Sequence, residues 1–185
     1  MSVTADRKGV IIDSSSAILL FKAGIFDCAA AAYDLILTPS VACELTRSGH
    51  DGSSHFANAL AAGRLKTVED EKCGGSCPEL SRLGQGERDS IALYLSGSGI
   101  FIIMDDGRGD RICRDMGIPY INALLVARIL RDCREIDEDR YAEAFGALLR
   151  VGRYSADIVS FARDCEKNRL KDFYPAGEPG KIGSN

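Results

Sequence analysis

Basic charge is in short supply. The chain sets 23 Lys and Arg against 27 Asp and Glu, a formal net charge of -4. A nucleic-acid binder relying on long-range attraction would be basic. Contact with a polyanion therefore requires a local basic patch, a bridging metal or a partner. Long apolar runs are also lacking: nothing approaches the roughly 18 residues of a membrane span. The opening MSVTADRKGVIID has no apolar region of signal-peptide length before the first strand. The expectation is a cytoplasmic protein with no membrane partner. Histidine is scarce, with two in 185 residues, and the seven cysteines (28, 43, 73, 77, 113, 133 and 165) are scattered and odd in number. In a reducing compartment most such cysteines are small core residues. Cys73 and Cys77 enclose CGGSC, with His50 and His55 earlier. Zinc would need tighter spacing or a second cysteine pair, so a flexible glycine-rich loop is the expectation there.

What is present is a soluble globular balance, 45% hydrophobic and 27% charged, in a chain long enough for one domain with a real core. GVIID at 9–13 reads as a buried strand closed by a charge. A serine-capped helix follows over 15–27, with a break at Gly24. LIL at 35–37 is a second strand, and Thr38-Pro39 caps and opens the next helix. A helix over 55–63 and a strand over 64–70 come next, then a polar loop over 70–86, long for a compact α/β domain. A helix from Glu87, the strand FIIM at 101–104, a helix over 108–117 and the short strand IPYI at 118–121 complete the alternation. From Asn122 to Leu170 the pattern is helical, and the Gly/Pro-rich end reads as frayed. Neither a repeat nor a second domain is evident, so residues 1–170 are expected to form one domain and 171–185 a flexible tail. Alternating strands and helices imply a mostly parallel five-stranded sheet between two helical layers, an α/β/α fold.

In such sheets ligands bind beyond the carboxyl ends of the strands, and that is where the acids fall. Asp13 ends the first strand, and Asp105 and Asp106 end the fourth. Glu44 lies in the helix after the second strand, and Glu87 opens the helix feeding the fourth. Taken singly, each acid has an ordinary reading: a helix cap for Asp13, a solvated helix position for Glu44, a helix-dipole partner for Glu87, a solvated turn for the Asp105-Asp106 pair. Together they repel one another and cost free energy to dehydrate unless a cation lies among them. Oxygen ligands with no nearby histidine or cysteine suit Mg²⁺ or Mn²⁺ and suit zinc poorly. Such ions acidify bound water and stabilise the attacking and leaving oxygens of a phosphodiester. Asp89, two residues from Glu87, points to another helix face. Arg108, Arg111 and Arg114 after the Asp-Asp turn, with Arg82 and Arg88 near the Gly-Glu helix, provide a local basic supply for phosphates.

The pieces VIIDSSSAILLFKAG, LTPSVACEL, LGQGERDSIALYL and FIIMDDGRGDRICRDMGIPY, in that order, resemble the PIN-domain family of metal-dependent nucleases. They look most like a prokaryotic branch related to VapC-type toxins and cover about residues 9–130. The resemblance implies Mg²⁺ or Mn²⁺ bound by Asp13, Glu44, Glu87 and one or both of Asp105 and Asp106, with Ser15 supporting the first aspartate. It implies cleavage of single-stranded or structured RNA. Of the local basic residues, Arg108 and Arg111 are the expected phosphate contacts. For a toxin it implies an antitoxin partner over the acidic rim, and oligomers are common among such relatives, a homodimer included. Two departures stand out. Gly109 is followed by Asp110 where relatives often carry arginine, and INALL replaces the Gly-Thr-Gly pattern after the fifth strand. Asp110 either weakens phosphate contact or joins the metal site.

Two other readings compete. A non-catalytic nucleic-acid or protein-binding module would keep the fold, but retired enzymes commonly lose an acid and this set is complete. An aspartyl-nucleophile phosphatase would want a second acid two residues after the nucleophile, and residue 15 is serine. Water is thus the expected nucleophile, with the base, Glu44 or Asp13, unassigned.

Overall fold

The computed structural model describes residues 9–69 and 78–175. Five short strands, β1 (Gly9–Ile12), β2 (Leu35–Leu37), β3 (Lys66–Thr67), β4 (Gly99–Ile103) and β5 (Tyr120–Ile121), form one sheet in the order β3-β2-β1-β4-β5. Every pairing is parallel. Parallel neighbours need crossover connections, and here helices supply them. The chain moves outward from β1 through β2 and β3, returns to β4 beside β1, and moves outward again to β5. The order therefore reverses between β1 and β4, the place where such a sheet leaves a crevice at its carboxyl edge.

The sheet is covered on both faces because its strands are apolar on both. Val10 and Ile12 of β1 point into one core and Ile11 into the other. The larger core is roofed by α1 (Ser14–Lys22), α2 (Phe26–Ala32), α3 (Pro39–Leu45), α4 (Ser53–Ala61), α7 (Ala123–Asp132), α8 (Glu138–Val151) and α9 (Ala156–Asp164). Helix α7 is buried at every position from Ala123 to Leu130, Arg128 included, because α8 and α9 pack against it. The smaller core lies under α5 (Gln85–Leu95) and α6 (Gly107–Asp115) and takes Leu80 and Leu83 from the segment before α5. Gly109 lets α6 settle onto that core. A Cβ there would stand 2.1 Å from the sulfur of fully buried Met104.

Away from the sheet edge, a buried ion pair ties the C-terminal helices together. Asp132, 4% exposed, accepts from Arg128 Nε at 3.2 Å and from Arg131 at 3.0 Å. Tyr174 donates to it at 3.2 Å. Arg128 also donates to the carbonyls of Ala162 and Arg163 at the end of α9.

The α/β/α architecture with a five-stranded parallel sheet is as expected, and so is the break at Gly24, where φ is +71°. Other boundaries move. The strand expected over 64–70 shrinks to Lys66–Thr67, an exposed edge. The last helix stops at Asp164, and a 3-10 helix, Lys167–Phe173, carries the chain on. Phe173 packs edge-on against Phe101 and its carbonyl accepts from Tyr33 at 2.9 Å. The packed chain thus runs past residue 170, into the segment expected to be a tail. The Cys73/Cys77 loop lies outside the described residues. Among the described residues no single helix is long and apolar enough to cross a membrane, and α1 and α2, which have the length together, are bent by 120°.

Candidate active site

Asp13 follows β1 directly and caps α1. Its Oδ2 accepts from the Ser15 hydroxyl at 2.9 Å and the Ser15 N–H at 3.3 Å. The Ser15 expected to support this aspartate therefore does so in the geometry of a helix cap. The Asp13 N–H donates to the Ile103 carbonyl at 3.0 Å, which fixes the end of β1 against the end of β4. Its other oxygen, Oδ1, is buried without a hydrogen-bond partner. Burial pushes the Asp13 carboxyl above its usual range, the Ser15 bonds oppose this, and Glu44 adds to it.

Gly86 shows how close Glu44 comes. A Cβ on Gly86 would lie 3.2 Å from Glu44 Oε2 and 3.7 Å from Asp13 Oδ1. Two carboxylates from α3 and the end of β1 thus converge on a space kept open by a residue without a side chain. Pro39 in the first turn of α3 and the Thr38 hydroxyl, which accepts from Val41 N–H at 3.4 Å, fix where that helix starts and so where Glu44 falls.

Glu87 stands in the first turn of α5, where its Oε2 accepts from the Gly84 N–H at 3.2 Å. Burial raises its pKa to about 7, with the charge of Asp106 next and that of Asp13 after it. The charge of Asp106 beside it thus favours the protonated form of Glu87. Asp106 caps α6 through Oδ1, which accepts from Arg108 N–H at 2.8 Å.

The two aspartates that end β4 have different surroundings. Asp105 Oδ2 accepts from the Ser16 hydroxyl at 2.8 Å and from the Ala123 N–H at 3.0 Å, while Oδ1 accepts from the Tyr154 hydroxyl at 2.5 Å. Burial raises its pKa, and these three donors oppose the rise. With both oxygens engaged inside the protein, Asp105 anchors the turn, and Asp106 is the member of the pair that faces Glu87. Tyr154, on the segment between α8 and α9, was missed by the sequence reading. No local pattern marks a tyrosine 49 residues away as the partner of an aspartate.

Asp110 belongs with the rim. It sits one turn into α6, its Oδ1 is buried without a hydrogen-bond partner, and burial with the charges of Asp105 and Asp106 raises its pKa to about 6 against the pull of Arg114. Of the basic residues, Arg108 and Arg111 line a groove of about 920 Å³ beside α6, with Arg82 across it. Arg88 instead reaches the Leu83 carbonyl at 3.5 Å, and Arg114 reaches the Tyr120 hydroxyl at 3.3 Å.

Among the described residues no three His, Cys, Asp or Glu side chains stand as a ready-made metal cage. The donor set nevertheless fits a hard cation better than any other group. It is all oxygen, it contains the partnerless buried Oδ1 of Asp13 and of Asp110, and two of its members, Asp13 and Glu44, border the space that a Gly86 Cβ would enter.

A parallel sheet whose first and fourth strands end side by side in carboxylates, with a glutamate from each flanking helix, defines an α/β protein with an acidic rim at the edge where such sheets bind ligands. The chain belongs to the PIN-domain family: the family model DUF3368, a PIN domain, matches residues 9–161. Among curated proteins and among solved structures nothing matches the chain significantly. PIN domains are generally nucleases and usually use divalent metals.

Proposed function

We propose that this protein is a Mg²⁺- or Mn²⁺-dependent endoribonuclease that hydrolyses phosphodiester bonds with water. The observation that carries the reading is the pair at Gly86: a partnerless buried oxygen of Asp13 and the Glu44 carboxylate facing one space that a single methyl would enter. Asp13, Glu44, Glu87 and Asp106 would hold the cation, with Asp110 beside them. Bound there, such an ion supplies an acidified water and charge stabilisation at the scissile phosphate. Ser15 fixes the Asp13 rotamer. Asp105 holds the turn that presents Asp106. Glu87, whose pKa burial and the charge of Asp106 raise to about 7, would give up its proton as a cation fills the site.

The toxin role and its antitoxin partner belong to the same proposal. A neighbouring gene for a small protein with a DNA-binding half supports them; an isolated gene removes them and leaves the nuclease. A non-catalytic binding module is favoured by one observation, the absence of a ready-made cage among the described residues. Purified protein on mixed single-stranded and folded RNA, with Mn²⁺, Mg²⁺ or EDTA, beside Asp13→Asn, separates the two. Metal-dependent cutting abolished by the substitution supports the nuclease. Absence of both cutting and calorimetric metal binding supports the module.

A further inference from the structure

The groove beside α6 is the feature that the acids leave unused. Its walls are the turn and outer face of α6 (Gly107, Arg108, Arg111, Ile112) and the Arg82–Leu83 segment leading to α5. Arg108 and Arg111 are three apart on one helix, so they share a face, and Arg82 faces them across the groove. Among the described residues the guanidinium groups of Arg82 and Arg108 have no ion-pair partner. Arg111 has only a 3.9 Å contact with Asp115, exposed at both ends, the kind of pair that contributes little. Among the described residues Asp115 is the one acid in the lining. The groove is thus a locally cationic strip on a protein of net charge -4. It starts at Gly107, the residue next to Asp106, so it leads out of the acid rim. Ile112 and Leu83 give it an apolar side on which a base can rest.

Resting on the nuclease reading, we infer that this groove seats the sugar-phosphate chain of a single strand on one flank of the scissile bond, with Arg82, Arg108 and Arg111 contacting successive phosphates. About 920 Å³ is the scale of a small-molecule cleft, roughly 300–1,000 Å³. That space takes a few unpaired nucleotides. Because the strip lies to one side of the acids, the substrate is gripped asymmetrically.

The test is fluorescence anisotropy of full-length Asp13→Asn protein in EDTA. Ligands are a 12-nucleotide single-stranded RNA, the matching DNA and a blunt RNA duplex, over 50–300 mM KCl. Three phosphate contacts on a single strand give a slope of log affinity against log salt of about -2, at roughly -0.7 per contact. Adding Arg108→Ala and Arg111→Ala should bring the slope to about -0.7, by the same count. Shortening the RNA from one end should weaken binding far more than shortening it from the other. An unchanged slope in the arginine variant, equal binding of duplex and single strand, loss symmetrical in the two flanks, or no binding at all overturns the inference. Equal affinities for RNA and DNA at each salt concentration mean that the groove reads phosphates alone; tighter RNA binding at an equal slope means that it also senses the sugar. Cleavage by protein with native Asp13 is scored separately. Arginine variants that cut with native KM refute the groove and spare the nuclease. A protein that binds as expected but never cuts with Mn²⁺ does the reverse.

Discussion

Gly86→Ala tests the acid site without removing an acid. The added methyl would sit 3.3 Å from Val41 Cγ2 and 3.2 Å from Glu44 Oε2. Val41 is fully buried and has nowhere to go, whereas Glu44 is exposed and swings. The methyl therefore displaces Glu44 from Asp13. Alanine gains up to about 1 kcal/mol over glycine within a helix, and crowding against Val41 costs about 1 kcal/mol at the low end of overpacking. The two nearly cancel, and the melting temperature should stay within about 4 °C of native. Metal affinity should not be spared. Misorienting a ligand through its surroundings weakens binding about 10- to 100-fold, and cleavage at limiting Mn²⁺ should fall in step. Thermal melting in EDTA, Mn²⁺ calorimetry and an RNA cleavage assay together read this out. Native Mn²⁺ affinity in a natively stable Gly86→Ala protein would refute the shared Asp13–Glu44 site.

Three further outcomes are expected. Glu87 has a folded-state pKa raised from 4.5 to about 7 and Asp110 one raised from 3.8 to about 6. Their stabilising contribution is full below those ordinary values and lost as pH rises through about 7 and about 6. Metal-free protein should therefore resist urea better at pH 5 than at pH 8, and Glu87→Gln should flatten that difference; a native slope in the variant would exclude Glu87 as its source. Tyr154→Phe removes the 2.5 Å donor to Asp105 and should cost about 2 kcal/mol, the scale for a hydrogen bond to a charged group, as a lower urea midpoint; an unchanged midpoint would exclude the anchoring role. Asp132→Asn leaves Arg128 buried beside a neutral partner and should cost about 3 kcal/mol or more by chemical denaturation; a loss below about 1 kcal/mol would place the pair among exposed ones.

Local signals carried most of the fold. Val10, Ile11 and Ile12 run together because β1 is buried on both faces, and a both-faced strand is the kind that consecutive β-branched residues mark. Thr38-Pro39 announced α3 because cap chemistry is local. The strand at 64–70 was overextended because its alternation suits a strand, while only Lys66 and Thr67 find a partner at the sheet edge. In the site, strand ends marked Asp13 and Asp106 and a helix start marked Glu87, while Glu44, in the last turn of α3, was expected there only because its helix follows the second strand. The division of labour within Asp105-Asp106 was illegible, since it depends on Ser16, Ala123 and Tyr154, which meet Asp105 only after the chain has folded. Asp110 was left between two roles because its partnerless oxygen is a property of packing, not of sequence.

The Asp105 anchor also sets a clock. Its three donors come from α1, from the start of α7 and from a tyrosine made 49 residues after the aspartate itself. At a synthesis rate of roughly 5–20 residues per second, that last donor appears about 2 to 10 seconds after Asp105. Between the synthesis of Ala123 and that of Tyr154 a nascent chain holds every rim carboxylate but lacks one of the three ties on the turn that presents Asp106. A chain truncated before Tyr154 would stay in that half-tied condition. The tether thus ties the last of the turn's three donors to synthesis of the chain as far as Tyr154.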